Sequence, residues 1–131
     1  MEVARAIAER GTCERGFVGA VIAKDGRIIS TGYVGAPSGA SHCLDEGCEI
    51  GTHNGCTRTV HAEANAIAFA ARHGISTEAS TIYTTLAPCY ECAKLIINAG
   101  VERLVYEVNY RDIRGLTLLE RTGLAVEHAS N

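Results

Sequence analysis

The chain has 131 residues, 47% of them hydrophobic and 21% charged, with a formal net charge of -3 at pH 7. That length suits one domain covering residues 1–131 with a core of its own, and the balance is that of an ordinary soluble globular protein rather than a disordered or fibrous one. The acidic balance disfavours nucleic acid as a partner, because such a face needs clustered cations against phosphates. A small anionic ligand stays compatible, since it needs only a local pocket. No apolar run approaches membrane-spanning length and the N-terminus lacks a secretory pattern, so no membrane association is expected. The expected location is cytoplasmic, or the host cytosol if the source is viral. There, six cysteines are expected to bind metal or do chemistry rather than form disulfides.

Residues 2–10 place Val3, Ala6, Ile7 and Arg10 at helical spacing and predict a helix stopped by Gly11. Residues 18–24 and 27–33 are apolar, β-branched runs separated by Asp25-Gly26, a link that predicts a β-hairpin. From 34 to 59 no period is visible, and the stretch holds Cys43, Cys48, Cys56, His42 and His53. A loop of that length is uncommon in a compact domain unless something clamps it. Together with Cys13, the three cysteines supply four thiolates, enough for a closed structural zinc site that contributes to folding. His42 or His53 could replace one of them.

Residues 61–73 predict a helix with Ala64, Ile67, Ala68 and Ala71 as its apolar stripe and Gly74 as its stop. There follow a strand at 80–86, a helix entered at Pro88 and running to about 99, a strand at 103–108, a helix at 115–122 and a strand at 124–128. Alternation of helix and strand after a hairpin implies an α/β fold of three layers, α/β/α, with a central five-stranded mixed sheet. It is expected to be largely parallel beyond the hairpin and covered by helices on both faces.

Two short stretches carry the chemistry. His61 and the pair Cys89 and Cys92 can supply three zinc ligands, which leaves the fourth tetrahedral position for water. Cys89 and Cys92 stand at i and i+3 at a helix start, where their sulfurs share one face and the helix dipole favours thiolate. A Cys-x-x-Cys alone is equally a redox pair; the histidine with Glu63 two residues on tips it to metal. Zinc lowers the pKa of bound water from 15.7 to about 7, so Glu63 is needed only to move protons. His-x-Glu followed by Pro-Cys-x-x-Cys is the general signature of zinc deaminases.

The chain resembles the deoxycytidylate (dCMP) deaminases of the cytidine-deaminase-like superfamily. The matching stretches include Val18-Gly19-Ala20-Val21-Ile22, Gly32-Tyr33 with Gly35 and Pro37, and His42-Cys43-Leu44-Asp45-Glu46-Gly47-Cys48. They continue through Cys56-Thr57-Arg58-Thr59-Val60-His61-Ala62-Glu63-Ala64-Asn65-Ala66-Ile67 and Leu86-Ala87-Pro88-Cys89-Tyr90-Glu91-Cys92. The resemblance implies the cytidine-deaminase-like fold and hydrolysis of dCMP to dUMP and ammonia, feeding thymidylate synthesis. It further implies a homo-oligomer (a hexamer or smaller), dCTP as activator, dTTP as inhibitor, and a second zinc on Cys13, Cys43, Cys48 and Cys56. Asn65 inside His-Ala-Glu-x-Asn-Ala-Ile looks like the deoxycytidylate branch, and at i+4 from His61 it is expected on the metal-facing side. Ala62 and Asn65 are expected at the substrate. Arg111 and Arg114 follow the fourth strand, where loops of open sheets bind ligands, and suit a phosphate, and Tyr110 beside them could stack on the base or cap the pocket; a solvated basic turn fits these residues equally well.

One position departs from the family, which usually reads Gly-Tyr-Asn-Gly where this chain has Gly32-Tyr33-Val34-Gly35. Val34 offers no side-chain hydrogen bond to a nucleotide, which opens 5-substituted dCMP or dCTP as alternative substrates. Ala36 in the same turn weakens the carry-over of nucleotide regulation. A deaminase acting on a base in RNA or DNA is disfavoured by the charge. A zinc-stabilised binding module would leave Glu63 without a purpose.

Overall fold

The computed structural model describes residues 1–13, 16–50 and 56–130, and the features below refer to those residues. In chain order they form α1 (Glu2–Ala8), β1 (Gly19–Lys24), β2 (Arg27–Tyr33), α2 (Cys43–Glu46), α3 (Ala62–Arg72), β3 (Thr81–Leu86), α4 (Tyr90–Asn98), β4 (Arg103–Val108), α5 (Arg114–Arg121) and β5 (Ala125–His128). The five strands make one sheet in the order β2-β1-β3-β4-β5. β1 runs antiparallel to both β2 and β3, while β3, β4 and β5 are mutually parallel.

The β1–β2 hairpin closes where Lys24 pairs with Arg27. Asp25 and Gly26 both take positive φ, at 52° and 75°, the conformation that lets a two-residue turn follow the twist of its strands. From β3 onward each strand is reached through a helix, which is what parallel neighbours require.

Helices α3, α4 and α5 pack on one face of the sheet; the buried face of α3 is Ala62, Ala66 and Ala70 rather than the expected stripe of Ala64, Ile67, Ala68 and Ala71, of which Ala68 and Ala71 are exposed. Ala62, Ala66, Ala93, Ile96 and Leu119 meet Ala20, Ile22, Ile82 and Leu104 in the core cluster, all of them fully buried. Alanines on α3 keep that helix close to the strands, so its N-terminus is held at a fixed height above the sheet. The other face carries α1. The α/β/α layering expected from the alternation is therefore present, with α1 as the whole of its second helical layer among the described residues.

Several boundaries shift by a residue or two from the sequence reading. His61 and His73 cap α3 rather than lie in it, and Pro88 stands one residue before the cap of α4. The irregular stretch after β2 contains the single turn α2 and two isolated antiparallel bridges among the described residues, Gly35 to Val60 and Ile50 to Cys56. The first of them matters for the site. Gly35 N–H donates to the Val60 carbonyl at 3.3 Å and Val60 N–H returns to Gly35 at 2.8 Å. That bridge draws the end of β2 alongside the residues leading into α3. No helix among the described residues is long and apolar enough to cross a membrane.

Candidate metal and active site

His61 and Cys89 hold the same structural post in two different helices. Each is the N-cap, with extended backbone (φ −66°, ψ 154° and φ −69°, ψ 172°). A cap residue projects beyond the first turn, and α3 and α4 lie side by side, so the two side chains meet in front of both helix ends. Cys92, one turn into α4, turns its main-chain N–H to the Cys89 sulfur at 3.4 Å. His61 Nδ1 lies 3.4 Å from the Cys89 sulfur and 3.4 Å from that of Cys92.

Those spacings fit zinc. With Zn–S near 2.3 Å and Zn–N near 2.0–2.1 Å, a tetrahedral ion sets N···S at about 3.6 Å and S···S at about 3.8 Å. The three ligand atoms lie within 4.8 Å of one another, and this group has three members among the described residues, which leaves the fourth position to an exogenous ligand.

The electrostatics prepare one of the three, Cys89, for metal. The Cys92 thiol, hydrogen-bonded to Cys89, and the His61 ring hold the Cys89 sulfur down at about 4, so it is a thiolate at neutral pH. The same contact with Cys89, with burial second, pushes Cys92 far above the ordinary thiol range. The contact with Cys89 also raises His61 against the opposing effect of burial.

Glu63, the second residue of α3, is 4% exposed. Burial raises its carboxyl above the ordinary carboxylate value, while its own main-chain N–H, His61 and Cys92 pull the other way. A carboxyl poised upward in this fashion, beside a metal site, is suited to taking and giving protons rather than to ligation.

A cavity of about 150 Å³ opens over these groups, lined by His61, Glu63, Cys89, Val34, Leu86 and Tyr110 among others. Tyr110, after β4, is thus brought to the cavity that holds Glu63 and His61. Arg111 is exposed, with its guanidinium 5.3 Å from the Tyr110 ring centre. Ala62 is fully buried in the core cluster and is not among the residues lining this cavity. The apolar wall at Val18, Leu86 and Ala87 was not singled out in the sequence, although the last two directly precede Pro88. Thr59, two residues before His61, was also missed.

Asn65 is the exception. The expectation that it shares the metal-facing side is not met: it lines a second cavity with Tyr33, Ala36, His42, Phe69 and Arg72. Its amide donates to the main-chain carbonyls of Tyr33 at 2.8 Å and Val60 at 3.2 Å. Position i+4 does lie on one side with His61, but the amide finds two carbonyls before it reaches the metal ligands.

Cys13, Cys43, Cys48 and Cys56 come together as expected, their sulfurs within 4.8 Å of one another. Cys13 and Cys48 are 3.5 Å apart and Cys43 and Cys56 3.4 Å, again zinc-like spacings. All six cysteines of the chain are free of disulfides. His42 is not part of the cluster; its Nδ1 lies 2.8 Å from the Thr12 hydroxyl and accepts from Ala36 N–H at 3.3 Å. His53 lies outside the described residues. Cys13 and Cys56 also line the cavity over Glu63, so the four-cysteine cluster forms part of the wall of the active cavity.

An α/β/α sheet presenting a His-Cys-Cys site and a buried glutamate at two adjacent helix starts defines the zinc-dependent deaminases as a class. The chain belongs to the family described as the cytidine and deoxycytidylate deaminase zinc-binding region, whose profile matches residues 1–108. It is 43% identical over 123 residues to ComE operon protein 2 of Bacillus subtilis (strain 168), covering 92% of this chain and 64% of that protein. It is 44% identical over 114 residues to the deoxycytidylate deaminase of Mycobacterium phage D29, covering 79% of this chain and 88% of the relative. Among solved structures, dCMP deaminase from the cyanophage S-TIM5 in complex with dCMP and dUMP superposes with a TM-score of 0.88. That match has 32% identity and covers 98% of this chain and 92% of that one.

Proposed function

We propose that the chain, acting as one deaminase domain over residues 1–131, hydrolyses dCMP to dUMP and ammonia. The observation that carries this is the buried Glu63 beside His61, Cys89 and Cys92 inside a cavity walled by Val34 and Tyr110. The named activity of the phage relative and the nucleotides bound in the cyanophage structure support it.

Zinc held by these three residues supplies a nucleophile from water at neutral pH and leaves the proton bookkeeping to the protein. Glu63 accepts a proton from that water as its oxygen adds to C4 of cytosine, and hands it to N3. It then takes the second proton, from the hydroxyl now on C4, and delivers it to the amino group, so the C4–N bond breaks with ammonia as leaving group and C4 keeps the oxygen as a carbonyl. The burial that raises the Glu63 carboxyl serves the second half of this cycle, in which it must act as an acid. His61, Cys89 and Cys92 hold the ion and do not titrate during turnover.

Tyr110 packs against the base, and the Arg111 guanidinium, planar and without a salt-bridge partner among the described residues, meets the 5′-phosphate. Val34, standing in the cavity wall where the family carries asparagine, favours a second reading in which a 5-substituted dCMP is the better substrate; dCTP is the other alternative. The four-cysteine cluster takes a second, structural zinc. Effector binding by dCTP or dTTP, if retained, belongs to the second cavity near Arg72, which is about 500 Å³ and separate from the metal. A homo-oligomer, up to a hexamer, and a reducing cytosol complete the proposal.

Ultraviolet absorbance over a panel of CMP, dCMP, dCTP, cytidine and 5-methyl-dCMP tests it. Turnover is expected for dCMP or its 5-methyl derivative; turnover of cytidine alone would overturn the nucleotide reading and leave the chemistry standing.

A further inference from the structure

Two extended segments frame the mouth of the active cavity: the end of β2, which delivers Val34, and the residues before α3, which deliver His61. The Gly35–Val60 bridge is one link between them. A second comes from the side. Asn65 Nδ2 lies 2.8 Å from the carbonyl oxygen of Tyr33, the residue before Val34, and 3.2 Å from that of Val60, the residue before His61. One amide thus bridges the residue before His61 and the residue before Val34.

Resting on the zinc reading above, we infer that Asn65 is a positioning residue that fixes His61 and Val34 relative to each other from outside the active cavity, not a group that touches substrate. A primary amide suits this task because one nitrogen carries two N–H donors, one for each carbonyl. A serine hydroxyl brings one donor, and an ionised carboxylate brings none and faces two carbonyl oxygens with negative charge. Residues that orient metal ligands without binding the metal typically control affinity by about 10–100-fold when replaced.

The experiment compares zinc release to a chelator from the holoenzyme in the wild type, N65S and N65D. The phase belonging to the His61 site is identified as the one missing from H61A. N65S and N65D are expected to speed that phase by about 10–100-fold. The four-cysteine phase and the thermal midpoint should stay nearly unchanged, and with dCMP as substrate kcat should fall while KM barely moves. Should N65D fail to fold, N65S, which keeps one donor, decides the matter alone. Wild-type release rates in N65S, or a rise in KM with kcat and zinc release intact, would overturn the inference and return Asn65 to the substrate. If the wild type fails to deaminate dCMP, the functional reading falls, while the zinc-release comparison still judges Asn65.

Discussion

Gly115 stands so close to Pro88 that a β-carbon on it would lie 2.3 Å from the Pro88 carbonyl oxygen and 2.9 Å from that of Cys89. Only a residue without a side chain lets the first turn of α5 press against the metal-binding turn. The same approach puts the Arg114 guanidinium 5.2 Å from the Tyr90 ring centre, next to the Cys89 ligand, and holds the loop that carries Tyr110. G115A should therefore move α5 outward at a stability cost of about 1–3 kcal/mol, and raise KM as Tyr110 shifts. Denaturant unfolding and steady-state kinetics check both; unchanged stability would show that the turn yields freely.

Val34 should set substrate preference. V34N restores a polar side chain to the cavity wall, and one added hydrogen bond is worth about 0.5–1.5 kcal/mol, roughly 2- to 12-fold. The ratio of kcat/KM for dCMP over 5-methyl-dCMP is expected to rise by that factor. A ratio that stays put would mean that Val34 does not face the nucleotide.

Zinc uptake at the His61 site should release protons. Without metal at pH 7, Cys89, held at about 4, has already lost its proton, whereas Cys92, raised by Cys89 and by burial, keeps its own. His61, also raised, adds to the release as pH falls below its pKa. Ligation requires all three deprotonated, so affinity must weaken as pH is lowered, with on the order of one proton displaced at pH 7. Calorimetry in buffers of different ionisation enthalpy counts them, and an apparent enthalpy independent of buffer would contradict the assignment of charge.

The four-cysteine cluster should matter to catalysis as well as to stability. C48S removes a partly exposed ligand that does not itself line the active cavity, yet Cys13 and Cys56 of the same cluster do. Loss of one zinc equivalent, a thermal midpoint lowered by roughly 5 °C or more and a higher KM for dCMP are expected. Metal analysis that still finds two equivalents in C48S would show that the cluster does not bind zinc as proposed.

Much of this site was legible in the sequence because its parts are local. His61 with Glu63, and Cys89 with Cys92, are each set by a single helix start, and the order of helices and strands around them follows from spacing and turn residues. The four cysteines could be grouped because a long aperiodic stretch demands a clamp. What escaped was relational. The direction in which the Asn65 amide turns depends on two carbonyls from another part of the chain. The closeness of Gly115 to Pro88, and the sharing of one cavity by Cys13, Cys56 and Glu63, depend on tertiary packing that no spacing within one segment encodes.

The central claim is that zinc activates water while Glu63 alone moves the protons, and E63Q separates the two. Glutamine keeps the shape and the hydrogen-bonding reach of the side chain but cannot accept and return a proton. Metal analysis should find zinc in E63Q at the wild-type level, with dCMP turnover reduced by about 10²–10⁴-fold. Near-normal turnover in E63Q with its full zinc complement would contradict the account.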